Sequence, residues 1–261
     1  MNILEPIILG IIQGITEFFP ISSSGHLLIG MSLFKINEFS LLIEVALHIG
    51  TLIAILFYWK DDYYSELIKL KKGSYDTLFC IIIATIPAGV IGLFLKEEIE
   101  SIFYDSNVLF NLMLAYLLMS IILYISKFYH ENKKTKITYF YALLIGIAQS
   151  IAIIPGISRS GLTIIVALML GITFKHALKF SFMLAIPILL FAGGSTLIDN
   201  FNLLVSRYDL IIFLLLGMFS SIISGYYIIS ILEKIVFKNK FWYFSFYCIM
   251  ISFLLLIFNY G

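Results

Sequence analysis

Long apolar runs, separated by short polar segments, dominate the hydrophobic pattern of the chain. A run of about 17–25 residues is needed to cross a bilayer core about 30 Å thick. Six runs are long enough, at about 41–59, 77–95, 107–126, 178–196, 210–231 and 241–259. They predict six transmembrane helices, and hence an all-α polytopic membrane protein.

Composition strengthens this prediction. Of the 261 residues, 61% are hydrophobic and only 13% are charged, whereas a soluble domain is about 45–50% apolar and about 25% charged. The mean hydropathy is +1.03. These values exclude a nucleic-acid binder and a secreted disulfide scaffold, and they make the bilayer the surroundings of the fold.

The polar loops alternate in lysine content, which predicts their sides of the membrane. Loops 60–76, 127–138 and 232–240 are rich in lysine, whereas loops 96–106 and 197–209 are not. The positive-inside rule places the first three in the cytoplasm and the other two outside. The stretch before residue 41 then starts and ends outside, and 139–177 starts and ends inside, so both are expected to be re-entrant.

These two stretches resemble each other in sequence. The segment GIIQGITEFFPISSSGHL (10–27) lies over GIAQSIAIIPGISRSGLT (146–163) at an offset of 136, with 8 of 18 positions identical. The same offset overlays the three spans after the first segment on the three spans after the second segment. We therefore predict a single membrane domain, 1–261, with an inverted-topology repeat. Its halves cover about 1–130 and about 137–261, each a re-entrant broken helix pair plus three transmembrane helices. Such repeats bring their broken helices together near the bilayer midplane.

The first broken stretch carries several polar side chains. Gln13 and Glu17 share a helix face at i, i+4, and Pro20 stops that helix. The turn Ser22–Gly25 is suited to cap the next helix, with His26 in its first turn. Helix capping alone would explain the serines, and a satisfied buried histidine would explain His26.

The second broken stretch carries Arg159, one of only two arginines beside 15 lysines. An intramembrane charge is costly unless it is paired or hydrated, so it indicates a functional site. Arginine also grips phosphate or carboxylate with a planar fork. Ser158 and Ser160 flank it, and Thr163 follows. Two Ser/Gly turns that open helices beside Arg159 predict an anion site. A purely structural Glu17–Arg159 ion pair is the alternative.

The segments QGITEFFPISSSGHL and PGISRSGLT resemble the two signatures of the undecaprenyl-diphosphate phosphatase family, the bacitracin-resistance type. The resemblance covers essentially the whole chain. It implies an inverted repeat, an active site open to the outer face of the plasma membrane, and removal of the terminal phosphate of a C55 polyprenyl diphosphate, which regenerates a carrier for cell-wall polymers. It also implies a divalent cation, Mg²⁺ or Ca²⁺, with Glu17 as its candidate ligand.

The resemblance points to Gln13, Glu17, Ser22, Ser23, His26, Ser158, Arg159 and Thr163. Of these, we expect Glu17, Ser23, His26 and Arg159 to carry catalysis. The expected substrate-binding residues are Gln13, Ser22, Ser158, Ser160 and Thr163. Ser23 and His26 both remain candidate nucleophiles. Phe246-Tyr247-Cys248 departs from the Tyr-Arg that many members carry, so we expect no catalytic role there.

The expected partners are a polyprenyl diphosphate lipid and the bilayer, with no nucleic acid; a homodimer is an open alternative to a monomer. A lipid or small-anion transporter on the same inverted repeat is the rival function. Glu44 and His48, at i, i+4, either line the outer mouth of the pocket or form an interfacial polar patch.

Overall fold

The computed structural model describes residues 2–36, 39–95, 98–99, 101, 103, 107–128, 134–237 and 240–260. Within these ranges the chain is almost entirely helical and has no β-strand. The twelve helices described here are α1 Leu4–Thr16, α2 Ser23–Leu33, α3 Ser40–Tyr58, α4 Lys60–Lys71, α5 Asp76–Phe94, α6 Val108–Ile125, α7 Tyr139–Ile151, α8 Arg159–Met169, α9 Phe174–Asp199, α10 Phe201–Ser206, α11 Tyr208–Phe237 and α12 Phe244–Tyr260. Short 3₁₀ turns cover Ser126–Phe128 and Phe241–Tyr243.

Six helical segments in the described residues are long and apolar enough to cross a bilayer, which confirms the polytopic all-α prediction. They are Ser40–Tyr58, Asp76–Phe94, Val108–Phe128, Phe174–Asp199, Tyr208–Ile235 and Phe241–Asn259. Each agrees with a predicted run to within a few residues. Most of the expected external loop 96–106 lies outside the described residues, as do residues 129–133 of the expected internal loop 127–138 and Lys238 of loop 232–240.

Each broken stretch forms two short helices, and proline sets where the first of them ends. The α1 helix ends at Thr16, four residues before Pro20, and α7 ends at Ile151, four residues before Pro155. A proline ring clashes with the carbonyl of residue i−4 and offers no N–H to it. The expectation that Pro20 stops the first helix is therefore confirmed, and the clash places each helix end one turn before its proline.

The two halves contact each other in an exchanged pattern. A Cβ added to Gly10 would touch Ser220 of α11, and a Cβ added to Gly146 would touch Ala84 of α5. Gly146 lies 136 positions after Gly10, and Ser220 lies 136 positions after Ala84. Each contact therefore pairs the repeat equivalents of the residues in the other. A contact that recurs with its halves exchanged is the signature of a two-fold relation. Inversion of the halves across the bilayer stays a prediction, as do the repeat boundaries near 130 and 137.

Small residues allow these helices to approach closely. The α1 backbone lies against α11, where the Ser224 hydroxyl donates to the Gly10 carbonyl at 3.3 Å. Ser221 of α11 donates to the Leu47 carbonyl of α3 at 2.7 Å. Interfaces of this kind are typical of membrane helices, where close packing and interhelical hydrogen bonds replace the hydrophobic effect. They hold α1 firmly, and with it the polar groups at its C-terminal end.

Candidate active site

The tips of the two broken stretches meet in the protein interior. Ser160 Oγ at the start of α8 donates to the backbone carbonyl of Glu17 at 3.3 Å. A Cβ on Gly161 would meet Met119 and, at 3.0 Å, Pro20. Glycine at position 161 therefore lets the second tip approach the first, and polar groups 142 residues apart in sequence come into contact.

A serine side chain caps the second helix of each pair. Ser22 Oγ accepts from Gly25 N at 3.3 Å, and Ser158 Oγ accepts from Gly161 N at 3.1 Å. Such caps satisfy backbone donors that a helix start leaves unpaired. The capping expectation is confirmed, and both helices direct their positive N-terminal ends at the meeting point.

Glu17 lies at the centre of the meeting point. Its Oε2 accepts from Ser23 Oγ at 2.6 Å and from Gln13 Nε2 at 3.2 Å. Its Oε1 accepts from Arg159 Nη2 at 2.5 Å. The carboxylate is buried, and ionised donors make such hydrogen bonds short and strong. One carboxylate thus connects a serine hydroxyl of the first tip with the guanidinium of the second.

Two polar atoms in this cluster are buried and have no hydrogen-bond partner within the described part of the chain: Arg159 Nη1 and Gln13 Oε1. Leaving such groups unsatisfied costs about 1–3 kcal/mol each. A bound ligand that carries both an acceptor and a donor would remove this cost. The unpaired guanidinium nitrogen points to an anionic ligand.

His48 of α3 also belongs to this cluster. Its Nε2 lies 3.4 Å from Glu17 Oε2, and its Nδ1 lies 2.8 Å from the Glu44 carbonyl one turn earlier. Of the two alternatives for His48, the structure places the ring at the site rather than in a separate interfacial patch. The i, i+4 spacing with Glu44 signalled a shared face, but only the fold could bring that face to Glu17.

His26 stands apart from the Glu17 cluster and is held by aromatic residues. Its Nδ1 lies 2.7 Å from the Ser22 carbonyl and 2.8 Å from the Tyr116 hydroxyl, and its Nε2 lies 2.7 Å from the Tyr247 hydroxyl. Tyr247 thus contacts a candidate catalytic residue, although no catalytic role is expected for its segment from the sequence. Tyr247 lies near the start of the last span, where tyrosine also suits the aromatic belt, so no sequence pattern indicated this contact.

The remaining predicted substrate-binding hydroxyls are engaged within the protein. Ser158 Oγ lies 3.2 Å from Ser160 Oγ, and Ser22 Oγ lies 3.3 Å from Ser24 Oγ. Thr163 Oγ1 donates to the Arg159 carbonyl and lies 2.7 Å from Ser181 Oγ. These side chains shape the two tips, and their direct contact with substrate stays a prediction.

The described residues do not supply a metal shell. They contain no group of three His, Cys, Asp or Glu side chains suited to a metal ion. Both oxygens of Glu17 already accept hydrogen bonds, and Arg159 lies against one of them. A cation on Glu17 would have to displace these donors and lie close to a guanidinium. Glu17 therefore does not fit the role of metal ligand that was expected of it.

These features define a polytopic membrane protein with a buried polar site, built around an arginine–glutamate pair, at the junction of two broken helix pairs. Comparison with known proteins is consistent with this class. Residues 6–254 match the family model described as Bacitracin resistance protein BacA. The chain belongs to this family.

Proteins named undecaprenyl-diphosphatase resemble the chain over nearly its full length. The protein of Caldicellulosiruptor bescii is 39% identical over 99% of this chain and 98% of its own length. That of Carboxydothermus hydrogenoformans is 36% identical over 95% and 94%. That of Thermosipho africanus is 38% identical over 95% and 97%.

Proposed function

We propose that this protein hydrolyses undecaprenyl diphosphate to undecaprenyl phosphate and inorganic phosphate, and so recycles the lipid carrier of cell-wall polymers. The observation that carries the proposal is the Ser23–Glu17–Arg159 arrangement. A serine hydroxyl is bonded to a carboxylate, and the other carboxylate oxygen holds an arginine with one unpaired nitrogen. A nucleophile beside a base and an anion-binding group are the parts that phosphoryl transfer requires.

Arg159 is the substrate clamp in this proposal. Its unpaired Nη1 takes an oxygen of the diphosphate, while Nη2 stays on Glu17. Fixed donors of this kind stabilise the charge that develops in the transition state, because they need no reorganisation at the moment of reaction. The helix N-termini at the two tips add partial positive charge on the same side.

Ser23 is the nucleophile that the geometry favours. Its Oγ bonds to the terminal phosphorus while its proton passes to Glu17. The bond from that phosphorus to the bridging oxygen breaks, and undecaprenyl phosphate leaves. Water then hydrolyses the phosphoserine, and Ser23 regains its proton from Glu17. His26 is less suited to attack, because its Nε2 already has the Tyr247 hydroxyl as a partner.

The site is proposed to open to the outer face of the plasma membrane, as the family resemblance implies. A divalent cation, Mg²⁺ or Ca²⁺, is also proposed as cofactor, and when bound it would offset negative charge of the diphosphate. The transporter alternative is not favoured, since the named relatives are phosphatases.

Phosphate release from undecaprenyl diphosphate by the purified protein tests the proposal. Arg159→Ala should lose release, whereas Arg207→Ala should keep it, because Arg207 is paired with Asp209 in an exposed position. Movement of lipid without phosphate release, at any divalent ion, would favour the transporter instead.

A further inference from the structure

The His26 imidazole is held at both nitrogens. The Ser22 carbonyl and the Tyr116 hydroxyl lie on the Nδ1 side, and the Tyr247 hydroxyl lies on the Nε2 side. The three contacts measure 2.7–2.8 Å. Tyr116 comes from α6 and Tyr247 from α12, so two helices far apart in sequence converge on a residue of the first tip.

These partners assign the tautomer of His26. A carbonyl oxygen only accepts hydrogen bonds, so Nδ1 must carry a proton to donate to Ser22. The Tyr116 hydroxyl donates to the same carbonyl at 3.4 Å, and its oxygen is therefore free to accept from Nδ1. In the neutral ring Nε2 then carries the lone pair, and the Tyr247 hydroxyl donates to it.

The backbone at Ser22 is strained in a way that capping does not explain. Ser22 has φ 64°, a left-handed conformation that residues other than glycine rarely adopt, whereas Ser158 has φ −80°. Both serines cap their helices with the same bond to the residue three positions later. The halves differ four residues after the capping serine: the first half has His26 there, whereas the second half has Leu162. Backbone strain persists only where the surrounding structure imposes it, and it clusters at active sites. Here it accompanies the carbonyl that fixes the His26 ring.

We propose that Tyr247 is a further functional residue of this site and acts as a proton relay. Its hydroxyl donates to Nε2 of His26, and through it a proton of the attacking water reaches Nε2. The inference rests on the proposed hydrolase function. It assigns His26 to proton transfer through Tyr247.

The proposed step belongs to the second half of the reaction. The water oxygen bonds to phosphorus, and the bond from phosphorus to Ser23 Oγ breaks. A proton of the water passes to the Tyr247 oxygen as the Tyr247 hydroxyl proton passes to His26 Nε2. Ser23 Oγ takes back its proton from Glu17, phosphate leaves, and His26 returns its extra proton to solvent along the same path.

Tyr247→Phe tests this role, because it removes the hydroxyl and keeps the ring. Tyr243→Phe is the matched control, since Tyr243 is an exposed tyrosine one turn earlier with no contact to His26 among the described residues. We expect Tyr247→Phe to lower kcat by about 10- to 100-fold, in the range of general acid–base effects. KM should change by less than about threefold, and the melting temperature should match that of the control.

A second readout does not depend on turnover. In protein labelled with ¹⁵N-histidine, Tyr247→Phe should change the Nε2 chemical shift of His26 and leave its Nδ1–H in place, whereas Tyr243→Phe should change neither. Equal kcat in the two variants, or an unchanged His26 spectrum in Tyr247→Phe, would overturn the proposal. Absence of phosphate release from the wild type would overturn the hydrolase function and the relay role together, while the ¹⁵N spectra would still decide whether Tyr247 donates to His26.

Discussion

Arg159 and Glu17 are 142 residues apart in sequence, yet Arg159 Nη2 donates to Glu17 Oε1 at 2.5 Å. Each residue sits at the break of its own half, so this contact joins the two halves at their polar tips. The pair does not satisfy all donors of the guanidinium, because Arg159 Nη1 has no acceptor within the described residues. A buried donor without a partner beside the pair favours a ligand site over a purely structural ion pair.

Arg159→Lys should lower kcat/KM for undecaprenyl diphosphate by about a hundredfold or more, in the range of losing one preorganised donor. A lysine ammonium lacks the planar fork that contacts a carboxylate and a phosphate together. Millimolar guanidinium should partly restore phosphate release by Arg159→Ala, and ammonium should not. Near-normal turnover by the lysine variant would argue against phosphate clamping.

Arg159→Ala should abolish turnover and leave the fold largely intact. Glu17 keeps three other partners in this variant, namely Ser23, Gln13 and His48, so the buried carboxylate is not left without donors. Thermal unfolding in detergent measures this directly. A melting temperature far below that of wild type would show that the ion pair is mainly structural.

Glu17→Gln should reduce phosphate release by about 100-fold or more, since proton transfer by a positioned side chain contributes about 10²–10⁴-fold. The amide keeps the size of the side chain but cannot take the proton of Ser23. Gln13→Ala is the graded comparison, because Gln13 donates to Glu17 without touching Ser23. Equal activity in Glu17→Gln and wild type would exclude Glu17 as the proton acceptor.

Gly146→Ala should destabilise the protein by about 1–3 kcal/mol, as overpacking does in a tight interface. A Cβ at 146 would lie 2.8 Å from the Ala84 Cα, so α7 and α5 would have to separate. Gly92→Ala is the control, since nothing lies within 4 Å of its Cβ. Thermal unfolding of the two variants should differ accordingly, and equal melting temperatures would contradict the close packing of α7 on α5.

Cysteine labelling in intact cells tests the predicted topology. Ser74→Cys in loop 60–76 should be protected from an impermeant reagent, and Ser206→Cys in loop 197–209 should react with it. Both serines are exposed, and the native cysteines, Cys80 and Cys248, are buried. Reaction of both new cysteines from the same side would contradict the assignment of the loops.

The spans, the caps and the helix breaks were predictable from sequence because each depends on local patterns. Apolar run length predicts a membrane helix, and serine before a Gly-containing turn predicts a cap. The Glu17–Arg159 contact was predictable because two charges at membrane depth need partners. Tyr247 was not, because its contact with His26 depends on how α12 packs against the first tip. The His48 contact likewise depends on the placement of α3.

The chemical identity of the phosphorylated residue tests the mechanism most directly. Wild type, Ser23→Ala and Ser24→Ala can be mixed with undecaprenyl diphosphate carrying a labelled terminal phosphate, quenched within one turnover and digested for mass spectrometry. Ser24 is the matched neighbour, since its hydroxyl contacts Ser22 rather than Glu17. We predict acid-stable label on Ser23 in wild type and Ser24→Ala, and none in Ser23→Ala. Acid-labile label on His26, or full turnover by Ser23→Ala, would contradict attack by Ser23.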